Sequence, residues 1–318
     1  MQTRMPNRSN SAVRGFSLIE LLTAVSIMVV IIFAIYGMFD QTQKALRGNI
    51  AQVDVLESGR AAAELMGRDL EQLAACNLQQ ALNLSFEMER ATNGLLISPL
   101  IQTDTDGKTP LRTNVLNEIF FLSQQTNRWV GTGYRVLGAA TNGGVGTLYR
   151  FTVSSNYRAL NYTNLVNPFI NAQLINPLNG QVSTNFNRVA DGVLHLRLTA
   201  YDPDGRRMEA FSTNMYPTYR ILRLNAAGAR QGLLSTANSA FDADVILRQQ
   251  SMQETQLSFT SNALPAYLDL ELGVLEAATL KQFQSLSPSP NAAAAFLKKQ
   301  AAKVHLFRQR IPIRTVQQ

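Results

Sequence analysis

Residues 16–39 of the chain read FSLIELLTAVSIMVVIIFAIYGMF. This stretch contains one charged residue, Glu20, and no proline. A helix rises about 1.5 Å per residue, so a helix over these residues is about 36 Å long and can cross the roughly 30 Å hydrocarbon core of a bilayer. The stretch therefore predicts a membrane-spanning helix.

The charges on either side of the apolar stretch predict its orientation. Arg4, Arg8 and Arg14 precede it, and the first charge after it is Asp40. In single-pass proteins, an excess of basic residues marks the cytoplasmic side. The N-terminus is therefore predicted to be cytoplasmic, with everything after Phe39 on the other side of the membrane.

Two other classes of N-terminal segment compete with this prediction. A cleavable secretory signal has a shorter apolar core followed by an A-x-A-like arrangement, which residues 34–38, AIYGM, do not provide. A plain membrane anchor explains the length and the arginines but not Glu20, because a carboxylate in the middle of a membrane helix costs on the order of 2.5 kcal/mol. We therefore expect Glu20 to have a partner.

Residues 14–22, RGFSLIELL, resemble the cleavage and methylation motif of type IV pilins and of the pseudopilins of type II secretion, residue for residue. The resemblance implies that a prepilin peptidase cuts after Gly15, on the cytoplasmic side, and methylates the new N-terminal residue, Phe16. It also implies that the Glu20 carboxylate of an incoming subunit meets the Phe16 ammonium of its neighbour. Two buried charges are tolerated together where each alone is costly. The competing interpretation places Glu20 at the level of the lipid headgroups.

The helical pattern continues beyond the membrane segment. Apolar residues at steps of three and four predict one helix running to about Cys76, with its apolar side packed on a globular head. The residues of this apolar side are Leu46, Ile50, Val53, Leu56, Ala63, Met66, Leu70 and Leu73. The predicted organisation is a leader at 1–15, a transmembrane half of the assembly helix at 16–39, an amphipathic half at 40–76 and a periplasmic β-rich head at 77–318.

Four glycines interrupt the predicted helix: Gly37, Gly48, Gly59 and Gly67. Each glycine costs a helix about 1 kcal/mol relative to alanine. Two interpretations account for them equally well. They mark points where the helix can bend during assembly, or they allow another element to approach closely.

After about residue 94 the pattern changes to that of strands, rich in aromatic and β-branched residues. The predicted strands are 118–123, 129–137, 147–154, 193–201, 206–212, 266–275 and 304–316. A hairpin turn is predicted at 202–205, a short helix at about 292–303, and long loops or insertions at the Asn-rich segments 156–188 and 225–262. The predicted fold class is α+β, with a long N-terminal helix packed on a mainly antiparallel β-sheet head.

Short patterns in the head narrow the resemblance to the large minor pseudopilins of the J type and the similar W-type minor pilins. They are RDLEQ at 68–72, GYRV at 133–136 ahead of LYRF at 148–151, VADGV at 189–193, and LPAYLDL at 264–270 before an Arg-rich terminal strand. The resemblance implies a subunit present in small numbers at the filament tip, where assembly starts. Its implied partners are the prepilin peptidase, other pseudopilins or pilins, assembly platform proteins and inner-membrane lipid.

The sequence predicts no enzyme, cofactor or metal site. The chain has two histidines, His195 and His305, each in a predicted strand, and one cysteine, Cys76, so no intrachain disulfide can form. No phosphate-binding loop or G-x-S-x-G motif is present. The DxDG sequences at 104–107 and 202–205 lack the further ligands of a calcium loop, so we interpret both as turns. A membrane-anchored binding or enzyme domain is the competing class.

The formal charge of +7 gives weak support for a nucleic-acid partner. Of the 29 basic residues, three lie in the leader, which leaves 26 against 22 acidic residues. Seven arginines of the head could cluster on one surface: Arg206, Arg207, Arg220, Arg223, Arg308, Arg310 and Arg314. Scattered arginines are more often a solvated face, so nucleic acid is not favoured as a partner. A minor pilin of a type IV pilus, serving adhesion, motility or DNA uptake, stays the alternative to a type II secretion subunit.

Overall fold

The computed structural model describes residues 17–76, 81–88, 99–104, 106–126, 128–139, 144–156, 163–170, 185–205, 207–208, 218–224, 230–236, 245–250, 253–261, 263–286 and 289–313. Gly15 and Phe16 lie outside the described residues. The chain divides into two compact units, Met1–Ile50 and Ala51–Gln318. We call the second unit the head.

The first helix, α1, covers Leu18–Glu71 and belongs to both units. Up to Ile50 its side chains are exposed, apart from the half-buried Gln43. Among the described residues, α1 is the one helix that is long and apolar enough to cross a membrane. Large apolar side chains on every side of a helix are typical of a segment embedded in lipid. The helix therefore indicates a membrane-anchored, single-pass protein.

The described part of the head contains the rest of α1, three shorter helices and 14 strands. The shorter helices are α2 (Thr163–Ile170), α3 (Ala277–Leu286) and α4 (Pro290–Lys298). The strands are β1 (Leu82–Met88), β2 (Leu100–Thr103), β3 (Pro110–Asn114), β4 (Asn117–Gln125), β5 (Arg128–Leu137), β6 (Gly146–Asn156), β7 (Phe186–Tyr201), β8 (Thr218–Leu224), β9 (Arg230–Thr236), β10 (Val245–Gln250), β11 (Gln253–Thr260), β12 (Ala263–Leu264), β13 (Tyr267–Leu275) and β14 (Val304–Pro312).

Nine of the described strands form one sheet, in the order β10-β11-β1-β4-β5-β6-β7-β13-β14. Every neighbouring pair in it is antiparallel. The strands β12, β8 and β9 form a small second sheet, and β2 and β3 form a hairpin. The structure therefore confirms the predicted α+β fold, with a long N-terminal helix packed on a mainly antiparallel sheet.

The part of α1 within the head packs on one face of the large sheet. Met66 and Leu70 are fully buried there. The sheet residues of the same core cluster include Leu84, Ile119, Phe121, Tyr134, Leu270 and Leu272. Burying one side chain of this size stabilises the fold by about 1.5–3 kcal/mol. This core holds the head end of α1 in place.

Only half of the apolar residues predicted to form one side of α1 are buried in the head. Ala63, Met66, Leu70 and Leu73 are buried, whereas Leu46, Ile50, Val53 and Leu56 are 39–58% exposed. Steps of three and four accumulate a rotation, because the helix turns 100° per residue. Leu46 and Met66 consequently lie about 200° apart around the helix axis. The residues that look like one stripe in sequence therefore lie on different sides of the helix.

The helix ends at Glu71, short of the predicted end near Cys76. The backbone N–H of Gln72 donates to the carbonyl of Asp69, which tightens the last turn. Leu73 then forms a β-bridge with Ser123, and the N–H of Ala74 donates to the Leu122 carbonyl. The chain leaves the helix because β4 offers backbone partners to residues 73–74.

The opposite face of the sheet carries an aromatic cluster covered by α2. The Phe169 ring of α2 packs against Phe120, with 5.4 Å between the ring centroids. Gly133 makes room for it, because a Cβ at this position would lie 2.4 Å from the Phe169 ring. The Arg135 guanidinium lies 4.7 Å from the centroid of the same ring and pairs with Glu118 at 2.7 Å. These contacts attach α2 to β4 and β5.

The hairpin of β2 and β3 attaches to the end of α4. The Gln102 side chain donates to the Leu297 carbonyl at 3.1 Å, and Arg112 donates to the Ala301 carbonyl at 3.1 Å. Both carbonyls lie at or beyond the end of α4, and each also accepts a backbone N–H group, from Gln300 at Leu297 and from Val304 at Ala301. Burial, together with the nearby charge of Arg308, lowers the pKa of Arg112. These hydrogen bonds attach the hairpin to the end of α4.

Other secondary-structure predictions are confirmed with shifted ends. The strands predicted at 118–123, 129–137, 147–154, 193–201 and 266–275 correspond to β4, β5, β6, β7 and β13. The helix predicted at 292–303 is α4 followed by a 3-10 turn at Ala301–Lys303. The strand predicted at 304–316 ends at Pro312, and 314–316 lie outside the described residues. Of the strand predicted at 206–212, Arg207 forms a bridge with Tyr201, and residues 209–212 lie outside the description.

The long loops predicted at 156–188 and 225–262 are wrong where α2, the start of β7 and the strands β9, β10 and β11 occur. In β11 the buried Leu257 and Phe259 flank Ser258. The Ser258 hydroxyl forms a 2.8 Å hydrogen bond with the hydroxyl of Ser85 on β1. Such a partner is far away in sequence, so a polar strand of this kind reads as a loop until the neighbouring strand is known. The strands β1, β2, β3 and β8 and the helix α3 were also not predicted.

Candidate functional site

The first turn of α1 contains the described part of the predicted processing and assembly motif. α1 begins at Leu18, so Ser17 occupies the N-cap position and Glu20 the third position of the helix. The Glu20 carboxylate accepts a hydrogen bond from the backbone N–H of Ser17 at 3.0 Å. This contact is one half of a capping box, in which an acid satisfies a backbone donor that the helix leaves unpaired. Glu20 therefore has a partner within its own chain.

The sequence contained the signal for this contact. Serine followed three residues later by glutamate, before an apolar run, is the capping-box pattern. The resemblance implies a partner for Glu20 in a neighbouring subunit, whereas this contact lies within one chain. The carboxylate is exposed, so the capping contact leaves it accessible to such a neighbour. The roles of Gly15 and Phe16, which lie outside the described residues, stay predictions.

Two hydroxyl groups within the apolar part of α1, those of Thr23 and Ser26, are satisfied by the helix itself. Thr23 donates to the Glu20 carbonyl at 3.0 Å, and Ser26 donates to the Leu22 carbonyl at 2.8 Å. In hydrocarbon there is no water to replace such bonds, so polar groups need partners within the protein. These hydroxyls are therefore compatible with a membrane environment.

At the other end of α1, a buried polar cluster ties the helix to the sheet. The Asp69 carboxylate accepts hydrogen bonds from the Tyr134 hydroxyl at 2.5 Å and from Arg150 at 2.6 and 3.2 Å. Tyr134 lies on β5 and Arg150 on β6. Burial, reinforced by the charge of Asp69, raises the pKa of Tyr134 far above its ordinary value. Tyr134 is thereby held as a neutral hydrogen-bond donor.

This cluster, which we call the Asp69 anchor, explains three of the short patterns that narrowed the resemblance. Asp69 comes from the pattern at 68–72, Tyr134 from 133–136 and Arg150 from 148–151. Burial is the largest single influence on Arg150 and lowers its pKa, but the hydrogen bonds to Asp69, the charge of Asp69 and the nearby Tyr134 together raise the pKa above its ordinary value. The ion pair is stable because both charges are satisfied by each other and by Tyr134. Nothing in the amino-acid sequence indicates that the three patterns meet.

Residues 10–36 match the family model described as the prokaryotic N-terminal methylation motif. The chain thus carries this motif. The match contains Gly15, Phe16 and Glu20 and supports a type IV pilin-like protein, processed by a prepilin peptidase and assembled with other pilins. It does not extend into the head, so it does not distinguish J-type from W-type subunits. The chain has no match among the curated proteins.

The two histidines of the chain lie on opposite faces of the sheet. His195 is paired with Gly273 and His305 with Val274, and successive residues of a strand point to opposite faces. The buried His195 accepts the N–H of Val115 at its Nδ1 atom (3.2 Å) and donates from Nε2 to Glu271 at 3.3 Å. Among the described residues, no group of three His, Cys, Asp or Glu side chains is arranged to hold a metal ion.

Both DxDG sequences form the predicted turns. The Asp104 carboxylate accepts the backbone N–H groups of Asp106 and Lys108 at 3.1 and 3.4 Å. The backbone N–H of Gly205 donates to the Asp202 carbonyl at 3.1 Å, and Gly205 has a φ of 82°. Positive φ favours glycine, which accounts for its place in the second turn. Turn geometry therefore explains why these acids and glycines occur together.

The arginines considered for nucleic-acid binding are only partly brought together. Arg308 pairs with Glu271 at 2.9 Å, and Arg310 pairs with Asp269 at 2.8 Å. Arg310 also lies 4.7 Å from the centroid of the Tyr267 ring. These acids reduce the positive charge that β14 offers to an anion. Arg206 and Arg314, and the side chains of Arg220 and Arg223, lie outside the described residues.

Proposed function

We propose that this protein is a minor pseudopilin of a type II secretion pseudopilus, which assembles at or near the tip after a prepilin peptidase cleaves between Gly15 and Phe16. The observation that carries the proposal is the N-terminal methylation motif at 10–36, joined directly to the apolar helix α1. A secretory signal or a plain anchor needs neither the glycine at the cut nor the acid at position 20. An assembling subunit uses both.

Assembly gives Glu20 a second partner. In the single subunit its carboxylate accepts the N–H of Ser17. In the filament, the ammonium group of a methylated Phe16 on a neighbouring subunit offers a full positive charge, and a hydrogen bond to a charged donor is roughly twice as strong as a neutral one. Exchange of the first contact for the second favours the assembled state and sets the stagger between subunits.

The head supports a minor rather than a major role. Its nine-stranded sheet carries helices on both faces, whereas the resemblance implies smaller heads for major subunits. The Asp69 anchor joins this large head to the last turn of the assembly helix. The proposed subunit starts in the inner membrane with its N-terminus cytoplasmic and its head periplasmic. In this proposal it acts as a structural protein and not as an enzyme.

The deciding experiment measures the N-terminal mass of the protein purified from membranes of cells with and without their prepilin peptidase. We expect a chain that begins with N-methyl-phenylalanine at residue 16 in the first case and an intact leader in the second. The variant Gly15→Ala should keep its leader in both strains, because the peptidase requires the glycine. An intact N-terminus in wild-type cells would reduce the protein to a membrane-anchored domain.

Deletion of the gene then separates the two machines. Loss of type II secretion with normal surface pili is expected for a pseudopilin. Loss of surface pili with normal secretion would instead assign the protein to the W-type minor pilins of a type IV pilus.

A further inference from the structure

The two end strands of the large sheet, β10 and β14, differ in length and regularity. β10 has six residues, and its register against β11 shifts between Arg248 and Gln249. β14 has nine residues, and its pairing with β13 continues from one end to the other without a shift. Short length and bulges are two of the features by which proteins prevent an end strand from pairing with another chain. β14 has neither of these protections.

Hydrogen bonds at the two ends of β14 reveal the direction of its backbone groups. The N–H of Ile313 donates to the Ala266 carbonyl at 3.1 Å, and the N–H of Glu276 donates to the Lys303 carbonyl at 2.9 Å. Along a strand, the backbone groups of successive residues point alternately to one neighbouring strand and to the other. The odd-numbered residues of β14 therefore bond to β13, and the even-numbered residues point away from it.

Three residues of β14 direct both their N–H and their C=O groups to the outside of the sheet. They are Leu306, Arg308 and Arg310. Within the described part of the chain, no strand pairs with this side of β14. An extended backbone satisfies such a row of alternating donors and acceptors, which is how peptides add a strand to the edge of a sheet. We call this row the β14 edge.

The charged side chains of β14 do not block the edge, because they extend back over the sheet. Arg308 and Arg310 each pair with the acid directly opposite on β13, at 2.9 and 2.8 Å. The Arg310 guanidinium also lies 5.5 Å from the centroid of the Tyr201 ring, on β7, two strands away from the edge. Proline, another common protection of end strands, occurs only at the last residue, Pro312.

One face of the sheet beside the edge is positively charged. The side chains of Arg308 and Arg310 are 69% and 63% exposed. Their acidic partners lie one strand further from the edge, on β13. The charges nearest to an added strand are therefore positive, and they favour acidic side chains on this face of the strand.

The other face of the sheet beside the edge is covered by α1. Gly59 of α1 lies against Phe307 of β14, and Gly67 lies against Gln309. At 100° per residue, Gly67 lies about 80° around the helix axis from Gly59, and Leu56 lies between them at about 60°. Leu56 is 39% exposed. On this face, α1 therefore offers apolar surface to an added strand.

From these features we infer that the β14 edge binds an extended strand of a partner protein, in which acidic side chains alternate with apolar ones. Successive side chains of a strand point to opposite faces, so the acids meet the two arginines and the apolar side chains meet α1. A second copy of the chain fits less well. Full antiparallel overlap of two strands Val304–Pro312 centres on Arg308 and sets two like charges opposite each other. The inference goes beyond the proposed function and does not depend on entry into a filament.

Amide hydrogen exchange of the full-length protein in detergent tests the inference at single residues. Without a partner, the three outward N–H groups of the β14 edge should exchange fast and the inward groups slowly, because only the inward groups bond to β13. The probe is a synthetic peptide of alternating valine and glutamate, as long as β14. We expect it to slow exchange of the three outward groups by about tenfold or more, with no change at the inward groups. A peptide of alternating valine and lysine is the charge-reversed control and should protect them little.

Two arginine variants test the role of charge. Arg308→Gln removes one charge beside the edge and keeps all backbone groups, so it should weaken binding of the glutamate peptide severalfold. Arg128→Gln is the matched control, because it removes an exposed arginine from β5, in the middle of the sheet. It should leave binding unchanged. Slow exchange at the inward groups of β14 shows that the strand is intact in each variant.

Several results would overturn the inference. These are absence of protection at a peptide concentration of about 1 mM, equal protection by the lysine peptide, or equal slowing of inward and outward groups. Slow exchange at the outward groups without peptide would also contradict it, and a dependence on protein concentration would then assign the edge to a second copy. The N-terminal mass of the same protein tests the proposed function separately, so the two can fail independently.

Discussion

The glycines of α1 distinguish its two parts. A Cβ added to Gly37 or Gly48 would meet no other described atom within 4 Å. A Cβ on Gly59 would lie 2.2 Å from the ring of Phe307, and one on Gly67 would lie 2.6 Å from the side chain of Gln309. Phe307 and Gln309 are both on the edge strand β14. The same residue type therefore has a packing partner in the head and none in the part of α1 before Ile50.

This difference indicates what constrains the side chains in each part of α1. Within the head, residues of α1 pack against neighbours in the same chain, so their substitution should affect folding. Before Ile50, the side chains are exposed in the single subunit, so their substitution should affect processing or assembly. Paired substitutions, one in each part, test this separation.

The largest effect is expected from Glu20→Ala, in the part before Ile50. The leader should still be removed, because the proposed cleavage site lies beside Gly15, but incorporation into filaments should be nearly abolished. Removal of the carboxylate deletes both the cap of the first turn and the proposed partner of the neighbouring Phe16 ammonium. The amount of processed protein in sheared filament fractions measures the effect, and the melting temperature of the head should stay unchanged.

The variant Glu20→Gln separates the two roles of this side chain. Glutamine can still accept the N–H of Ser17, so the helix cap is kept, but it carries no charge. Poor assembly of Glu20→Gln is expected if the ion pair sets the stagger. Normal assembly would contradict the charge pairing and leave helix capping as the role of Glu20.

Asp69→Ala is the counterpart at the head end of α1. It leaves the partly buried Arg150 and the buried Tyr134 without their shared acceptor, and loss of one partner of a buried ion pair costs about 3–5 kcal/mol. The free energy of unfolding of the detergent-solubilised protein should fall by an amount near the lower end of this range, because the Arg150 side chain is 28% exposed. Leader removal should be normal.

Glu64→Ala is the matched control for Asp69→Ala. Glu64 also pairs with arginines, Arg60 and Arg68, but these side chains are 53–79% exposed. Exposed pairs of this kind contribute about 0.2–1 kcal/mol. Equal destabilisation by both variants would show that the anchor is not buried in solution.

The processing motif could be recognised residue by residue because its residues lie close together in the sequence. Gly15, Phe16 and Glu20 lie within six residues, and the apolar run that follows gives a strong periodic signal. Strands with aromatic and β-branched residues, such as β4 to β6, gave a similar local signal. For the apolar run and these strands, the sequence and the fold agree because nearby residues determine the structure, whereas the roles of Gly15 and Phe16 stay predictions.

The Asp69 anchor and the polar strands could not be predicted for the opposite reason. Asp69 is separated from Arg150 by about 80 positions, and Ser85 from Ser258 by more than 170. A single sequence does not state which distant polar residues satisfy each other. The prediction that the apolar residues of α1 lie on one side of the helix was wrong for another reason. Local steps of three and four conceal a slow rotation around the helix axis.

Smaller effects on stability, of opposite sign, are expected when Gly59 and Gly48 are replaced by alanine. Gly59→Ala introduces a clash with Phe307, and overpacking of this kind costs about 1–3 kcal/mol. The higher helix propensity of alanine returns about 1 kcal/mol, so the net effect should be a loss of about 1 kcal/mol. Gly48→Ala meets no clash and should leave the head equally or slightly more stable. Chemical denaturation compares the two, and stabilisation by Gly59→Ala would contradict the close contact with β14.

The smallest expected effect is a dependence of head stability on pH through Glu271. Its hydrogen bond from His195 outweighs burial and, with the nearby Arg308, lowers the pKa of Glu271 below its ordinary value of 4.5. A carboxyl group with a lowered pKa in the folded state binds its proton more tightly when unfolded, so its stabilising contribution is present above about pH 4.5 and is lost as the pH falls through the folded-state pKa. Glu271→Gln should therefore be less stable than the wild-type chain at pH 7, by up to about 1 kcal/mol, and the difference should shrink below pH 4.5. A difference between the two unfolding free energies that stays constant from pH 7 to pH 3 would mean that the hydrogen bond from His195 does not depend on the charge of Glu271.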